Sequence, residues 1–258
     1  MKKAIIGVLT IFFSVCLFAS CGSKGIDQNY GMKKSAEYNG VKVYYQKDAE
    51  WAEYLAKHIT EDANGFFEKT KCSPDMSIYL FDKKEDFLKN MKTQIEPSLE
   101  RYYIVDQIEP NKLIAVSMDD AGVYSQKQGY MYTFLNTVTS DKIEQKYKNI
   151  SPWLGSGMSI YFSYGEDVER IALQNLSGKK AVIPFEDTQK SPSPADNSYY
   201  SFSQLYFKYL MDTYGWDKCD ALAETMDYPA VLGKSEEEIF EEWKMYLQSN
   251  ERFSVIFR

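Results

Sequence analysis

The chain holds one imidazole, His58, so any chemistry that needs two histidines is closed to it. His58 stands between Leu55 and Ile59 on a helical repeat and reads as a partly exposed helix residue. Gly155-Ser156-Gly157 sets a hydroxyl between two glycines, as a serine nucleophile on a sharp turn would be. No strand leads into that turn and no Ser-His pair is evident, so a helix start explains the string better. Glu166-Asp167, Asp119-Asp120 and Glu236-Glu237-Glu238 supply paired acids of the kind that hydrolyse glycosides when two of them flank a cleft. Most of them read as solvated helix starts, where the helix dipole favours negative charge. Asp119-Asp120-Ala121-Gly122 has the opening of a calcium loop without the remaining oxygens. Tyr102-Tyr103, Tyr130, Tyr132 and Tyr199-Tyr200 belong to an aromatic content of 16%, which suits either a ring-lined cleft for peptide or glycan or the edges of a core.

The first residues carry chemistry of another kind. Met1-Lys2-Lys3 precedes an apolar run from Ala4 to Ala19, too short for an ordinary membrane span and ended by small residues, as in a cleavable leader. The string Phe18-Ala19-Ser20-Cys21 resembles the lipobox of bacterial lipoproteins. That resemblance implies cleavage after residue 20 and a diacylglycerol on Cys21, anchoring the mature protein to a membrane on the extracytoplasmic side. Phe18 departs from the usual Leu or Val of that motif. Residues 21–37 are polar, with Gly, Ser, Lys and Asn and no period, and read as a flexible tether.

The whole chain carries 30 basic and 37 acidic residues, a net charge of −7, and loss of the leader removes Lys2 and Lys3 but no acid. Nucleic acid is excluded as a partner by that balance. Of the four cysteines, Cys16 leaves with the leader and Cys21 takes the lipid. Cys72 and Cys219 either pair as a disulfide, which export permits, or remain two small buried thiols.

Asn39-Gly40 before Val41-Lys42-Val43-Tyr44-Tyr45 predicts a turn feeding a strand. Asp48 caps a helix with Trp51, Leu55, Ile59 and Ala63 on one face; a strand follows at 76–81 and a short helix at 83–91. Strands are expected at 101–105 and 112–117, around Glu109-Pro110-Asn111. Helices are expected at 124–138, 153–162, 167–176, 202–214 and 217–226, with a loop at 191–194. Ser235 and Glu238 make a capping box for a last helix at 236–248. Strands first and helices afterwards predict a single α+β domain over 38–258.

Several strings resemble the gluzincin zinc peptidases, in the version found as peptidase MA-like domains. Trp153-Leu154-Gly155-Ser156-Gly157-Met158-Ser159-Ile160-Tyr161-Phe162, preceded by Pro152, is similar to the family's Trp-Leu-x-Glu-Gly-x-Ala-x-Tyr helix. Tyr130-Met131-Tyr132-Thr133-Phe134 falls where that family carries His-Glu-x-x-His. Phe202 through Tyr209-Leu210 to Tyr214-Gly215, and Glu242-Trp243 to Tyr246-Leu247, match its later helices. The resemblance implies a small mixed sheet beside an active-site helix and a C-terminal helical part. It also implies degenerate active-site positions: Tyr130 and Phe134 for the two histidines, Met131 for the general base and Ser156 for the third zinc ligand. No cofactor, and in particular no catalytic zinc, is therefore expected, and the old site should be plugged by Tyr130, Met131 and Phe134 turned toward Ser156 and Ile160. Two functions stay open. One is a non-catalytic, membrane-anchored module binding a peptide, protein or cell-wall ligand; the other is a zinc-independent hydrolase using cleft carboxylates.

Overall fold

The computed structural model describes residues 30–122, 126–190 and 196–257. The leader, Cys21 and the loop expected at 191–194 lie outside the described residues. Five strands, β1 (Lys34–Tyr38), β2 (Val41–Tyr45), β3 (Met76–Phe81), β4 (Val105–Glu109) and β5 (Lys112–Val116), form one sheet in the order β1-β2-β3-β5-β4. The β1/β2 and β4/β5 pairs are antiparallel and the central β2/β3 and β3/β5 pairs parallel. In β2 only the alternate residues Val41, Val43 and Tyr45 are buried, whereas β3 and β5 are buried along nearly their whole length. That is the pattern of central strands covered on both faces.

Between β2 and β3 run α1 (Ala49–Asp62) and α2 (Asn64–Thr70), and α3 (Lys84–Asn90) follows β3. The Asp48 carboxylate caps α1 by accepting the Trp51 N–H at 3.0 Å, as the sequence predicts, and Trp51, Leu55 and Ile59 are its buried stripe. After the sheet come α4 (Lys127–Lys146), α5 (Pro152–Tyr164), α6 (Val168–Leu176), α7 (Phe185–Thr188), α8 (Asn197–Tyr214), α9 (Trp216–Thr225), α10 (Tyr228–Leu232), α11 (Glu236–Ser249) and α12 (Ser254–Phe257). The arrangement is α+β, and its buried apolar side chains join in one cluster. Trp153 of α5, Tyr206 of α8 and Phe240 and Trp243 of α11 meet ring to ring at the centre of the helical part. The capping box of Ser235 and Glu238 forms with both of its bonds.

Three elements differ from the sequence expectation. Strand β1 begins inside the stretch read as tether: Lys-Ser-Ala-Glu-Tyr shows no apolar alternation because it is an exposed edge, held by the hairpin turn Asn39-Gly40, both at positive φ. The strand expected at 101–105 sits at β4 instead, while Pro97–Tyr102 makes a 3-10 helix. Asn111, at φ +61°, closes a tight turn, so the strand runs up to Glu109. Finally α4 continues eight residues beyond 138, through Thr139, Asp141 and Lys142, which look like surface residues but are buried and hydrogen-bonded.

The outer edge of β4 is covered by the chain itself. The buried Asp106 carboxylate accepts the Lys92 N–H at 2.8 Å and the Thr93 hydroxyl at 2.5 Å, and the Lys92 ammonium donates to the Ile108 carbonyl at a bulge in the strand. A segment strapped over an edge strand in this way removes a template for pairing with other chains.

Candidate functional site

Helices α4 and α5 pack side by side, and the four positions marked by the resemblance sit on them without converging. Tyr130 faces α1 and the sheet: its ring meets Trp51 edge-on at 5.0 Å, and its hydroxyl donates to the Val116 carbonyl of β5 at 2.6 Å. Phe134, one turn on, stacks on Tyr130 at 5.9 Å and is fully buried. Met131 turns the other way, into a cleft described below. Ser156 is buried in α5, and its hydroxyl makes no hydrogen bond among the described residues. The plug of Tyr130, Met131 and Phe134 against Ser156 and Ile160 is thus corrected: these side chains are buried, but Tyr130 reaches Trp51 of α1 and Val116 of β5, and Phe134 stacks on Tyr130. The cause is helical phase, since residues 130 and 134 share a face that lies well around the helix from 132, 136 and 139.

That second face makes the contact with α5. Ser159 donates to the Asn136 side-chain oxygen at 2.6 Å, Thr139 and Ser159 hydroxyls lie 2.9 Å apart, Ser140 and Ser159 hydroxyls 2.8 Å, and Thr139 and Ser163 hydroxyls 3.1 Å. These side chains satisfy one another, as buried polar groups must. A catalytic zinc needs about three nitrogen, thiolate or carboxylate donors. Four hydroxyls and an amide, already bonded among themselves, do not fit that ion.

A cleft lies at the N-terminal end of α4. It has a volume of about 570 Å³ and is walled by Tyr54 and Asp62 of α1, by Lys127, Gln128, Met131, Tyr132 and Leu135 of α4, and by the Phe162-Ser163-Tyr164-Gly165 end of α5. On its α1 side, Trp51, Tyr54 and His58 stack in sequence, 4.8 Å and 3.9 Å between rings, and the Lys127 ammonium lies 3.5 Å from the centre of the Tyr54 ring. At the other rim the Tyr132 hydroxyl donates to Asp167, which also accepts from Gln128 at 3.2 Å and from Arg170 at 2.8 Å. Burial and the Asp167 carboxylate push the Tyr132 hydroxyl up to about 12, while the Arg170 and Tyr132 hydrogen bonds hold Asp167 below the usual carboxylate range.

The remaining candidates are structural. His58, besides its stacking, lies 3.4 Å from Asp62. Asp120 accepts the Lys84 N–H at 2.6 Å ahead of α3. Glu238 closes the capping box of α11, and burial raises Glu236 above the usual carboxylate range. Asp167 is at the cleft's rim, bound to an arginine, a tyrosine and a glutamine. No cluster of three or more His, Cys, Asp or Glu side chains suited to a metal occurs among the described residues. Cys72 and Cys219 are free thiols, Cys219 buried on α9 and pushed up to about 12 by burial. The disulfide alternative is therefore set aside in favour of two thiols. Tyr54, Lys127, Leu135 and Tyr164 were not singled out from sequence, although Trp51, Tyr54 and His58 at helical spacing are a readable signal.

Comparison of the sequence with profiles of known protein families and with curated proteins, and of the fold with solved structures, finds no match.

Proposed function

We propose that this chain is a lipid-anchored, extracytoplasmic binding module built on a gluzincin-like pair of helices, a pseudopeptidase whose ligand is peptide, protein or cell-wall material. The leader, the small residues before Cys21 and the acidic mature chain support the location; among the described residues no helix is long and apolar enough to cross a membrane. The Trp153 to Phe162 string at the start of α5, packed beside α4 next to a mixed sheet, supports the gluzincin-like reading. One observation carries the binding function: the 570 Å³ cleft has aromatic and apolar walls and one carboxylate, Asp62, among its described lining residues, while Asp167 at the rim is tied to Arg170, Tyr132 and Gln128. Acid-base hydrolysis needs two groups poised across the scissile bond, whereas binding needs apolar area and a few polar anchors.

The test is photocrosslinking in living cells from benzoylphenylalanine placed at position 54, on the full-length protein. The reading expects a discrete crosslinked adduct that disappears when Gln128→Trp fills the cleft. Purified protein that turns over peptides or cell-wall fragments, and loses that activity with Asp62→Asn, overturns it in favour of the hydrolase.

A further inference from the structure

Resting on the binding-module reading, we infer that the cleft receives the carboxyl end of a peptide, with Lys127 facing the terminal carboxylate and Met131, Leu135 and Phe162 enclosing the last side chain. Asp62 and Lys127 are the charged side chains among the described lining residues of this cleft, and Asp167 with Arg170 stands at its rim. Asp62 lies within 3.4 Å of His58, and Asp167 and Arg170 are paired at 2.8 Å. Lys127 is left without a carboxylate partner among the described residues; only the Tyr54 ring lies under its ammonium, at 3.5 Å. An exposed lysine resting on an aromatic face is held near the rim with its donors free for an anion, and it complements a negative ligand group.

The walls say what is attached to that anion. The apolar surface of Met131, Leu135 and Phe162 is interrupted by the Gln128 amide and the Tyr132 hydroxyl. A peptide main chain needs such polar partners, and a hydrocarbon chain does not. A volume of about 570 Å³ is within the range of small-ligand sites and fits two or three residues. The cleft is also open rather than enclosed, as suits the end of a longer chain rather than a buried acyl tail.

The experiment measures retention of a pool of randomised octapeptides on the immobilised full-length protein in detergent, as free acids and as C-terminal amides, with dodecanoate as competitor. The inference expects the free acids to bind about tenfold more tightly, the equivalent of about 1.4 kcal/mol. It expects Lys127→Gln to erase that preference, Gln128→Trp to abolish binding of both pools, and dodecanoate not to compete. Equal binding of acids and amides, blocked by Gln128→Trp, overturns the carboxylate assignment while leaving the cleft as the binding site. Displacement by dodecanoate assigns the cleft to an acyl chain and overturns the peptide. Failure of both pools to bind, or binding that Gln128→Trp leaves unchanged, overturns the cleft reading together with this one.

Discussion

The carboxylate of Asp141, fully buried in the middle of α4, accepts the backbone N–H of Asn111 at 3.1 Å, so the turn between β4 and β5 is fastened to the helix that carries the cleft. Gln107 donates to the same carboxylate, and the Lys142 ammonium reaches the Asn111 side chain and, at 2.8 Å, the Asp75 carbonyl. Burial raises Asp141 and lowers Lys142 relative to their ordinary values, with the neighbouring opposite charge partly offsetting each. Asp141→Ala leaves the Asn111 N–H and the Gln107 amide without their acceptor and the Lys142 ammonium without its neighbouring opposite charge. It should destabilise the protein by about 3 kcal/mol, read from urea unfolding. A loss under about 1 kcal/mol would show that the turn does not depend on this tie.

Tyr130 and Phe134 separate a hydrogen bond from a volume. Tyr130→Phe keeps the ring and removes the hydroxyl that donates to the Val116 carbonyl, and should cost about 1 to 1.5 kcal/mol. Phe134→Ala opens a cavity at a fully buried position and should cost about 3 to 5 kcal/mol. An unchanged unfolding midpoint for Phe134→Ala is incompatible with its burial beside Tyr130.

The sequence made most elements legible wherever an apolar stripe or a cap announced them, as with Asp48 and Trp51 on α1 or Ser235 and Glu238 on α11. It misled on α4 for a physical reason. That helix is buried around most of its circumference, with Tyr130 against the sheet, Met131 in the cleft and Thr139 against α5, so no stripe marks which face meets which neighbour. Polar residues at 139, 141 and 142 then read as a surface end, because nothing local reveals that Ser163, Asn111 and Asp75 complete their bonds from 24 to 67 residues away. The cleft was hidden likewise: Tyr54 and Lys127 are 73 positions apart, and only the fold lays one on the other.

Lys84 gives stability a pH dependence of known sign. Its ammonium is buried without a hydrogen bond among the described residues, over the Phe87 ring at 5.3 Å, and burial lowers it from 10.5 to about 8, although Asp120 and Glu100 pull the other way. Below about pH 8 both folded and unfolded chains hold this proton, and the burial cost is present in full. Between about 8 and 10.5 the folded chain releases it first, so this group's contribution to stability rises with pH. Lys84→Met should therefore unfold at higher urea than the natural chain at pH 7, with the lead shrinking by pH 10. A lead that stays constant across that range rules out the titration of Lys84 as its source.

Neighbouring glycines of α5 should respond in opposite ways to the same substitution. A Cβ added at Gly157 would stand 2.3 Å from the Ser203 carbonyl oxygen and 2.9 Å from its carbon, which are backbone atoms of α8 that cannot swing aside. Gly157 therefore sets the distance between two helices whose contact includes Trp153, Tyr206 and Phe207. Gly157→Ala has to push α8 away and loosen that packing, at a cost of about 3 kcal/mol, within the range for overpacked cores. At Gly155 the nearest atoms to an added Cβ are side-chain carbons of Ile150 and Ile143, at 3.6 to 3.9 Å, an ordinary van der Waals distance. Gly155→Ala gains up to about 1 kcal/mol of helix propensity with no clash to oppose it. Thermal unfolding of the two variants should move in opposite directions, down for Gly157→Ala and level or up for Gly155→Ala. If Gly157→Ala melts with the natural chain, α5 and α8 do not approach as closely as the Ser203 carbonyl requires.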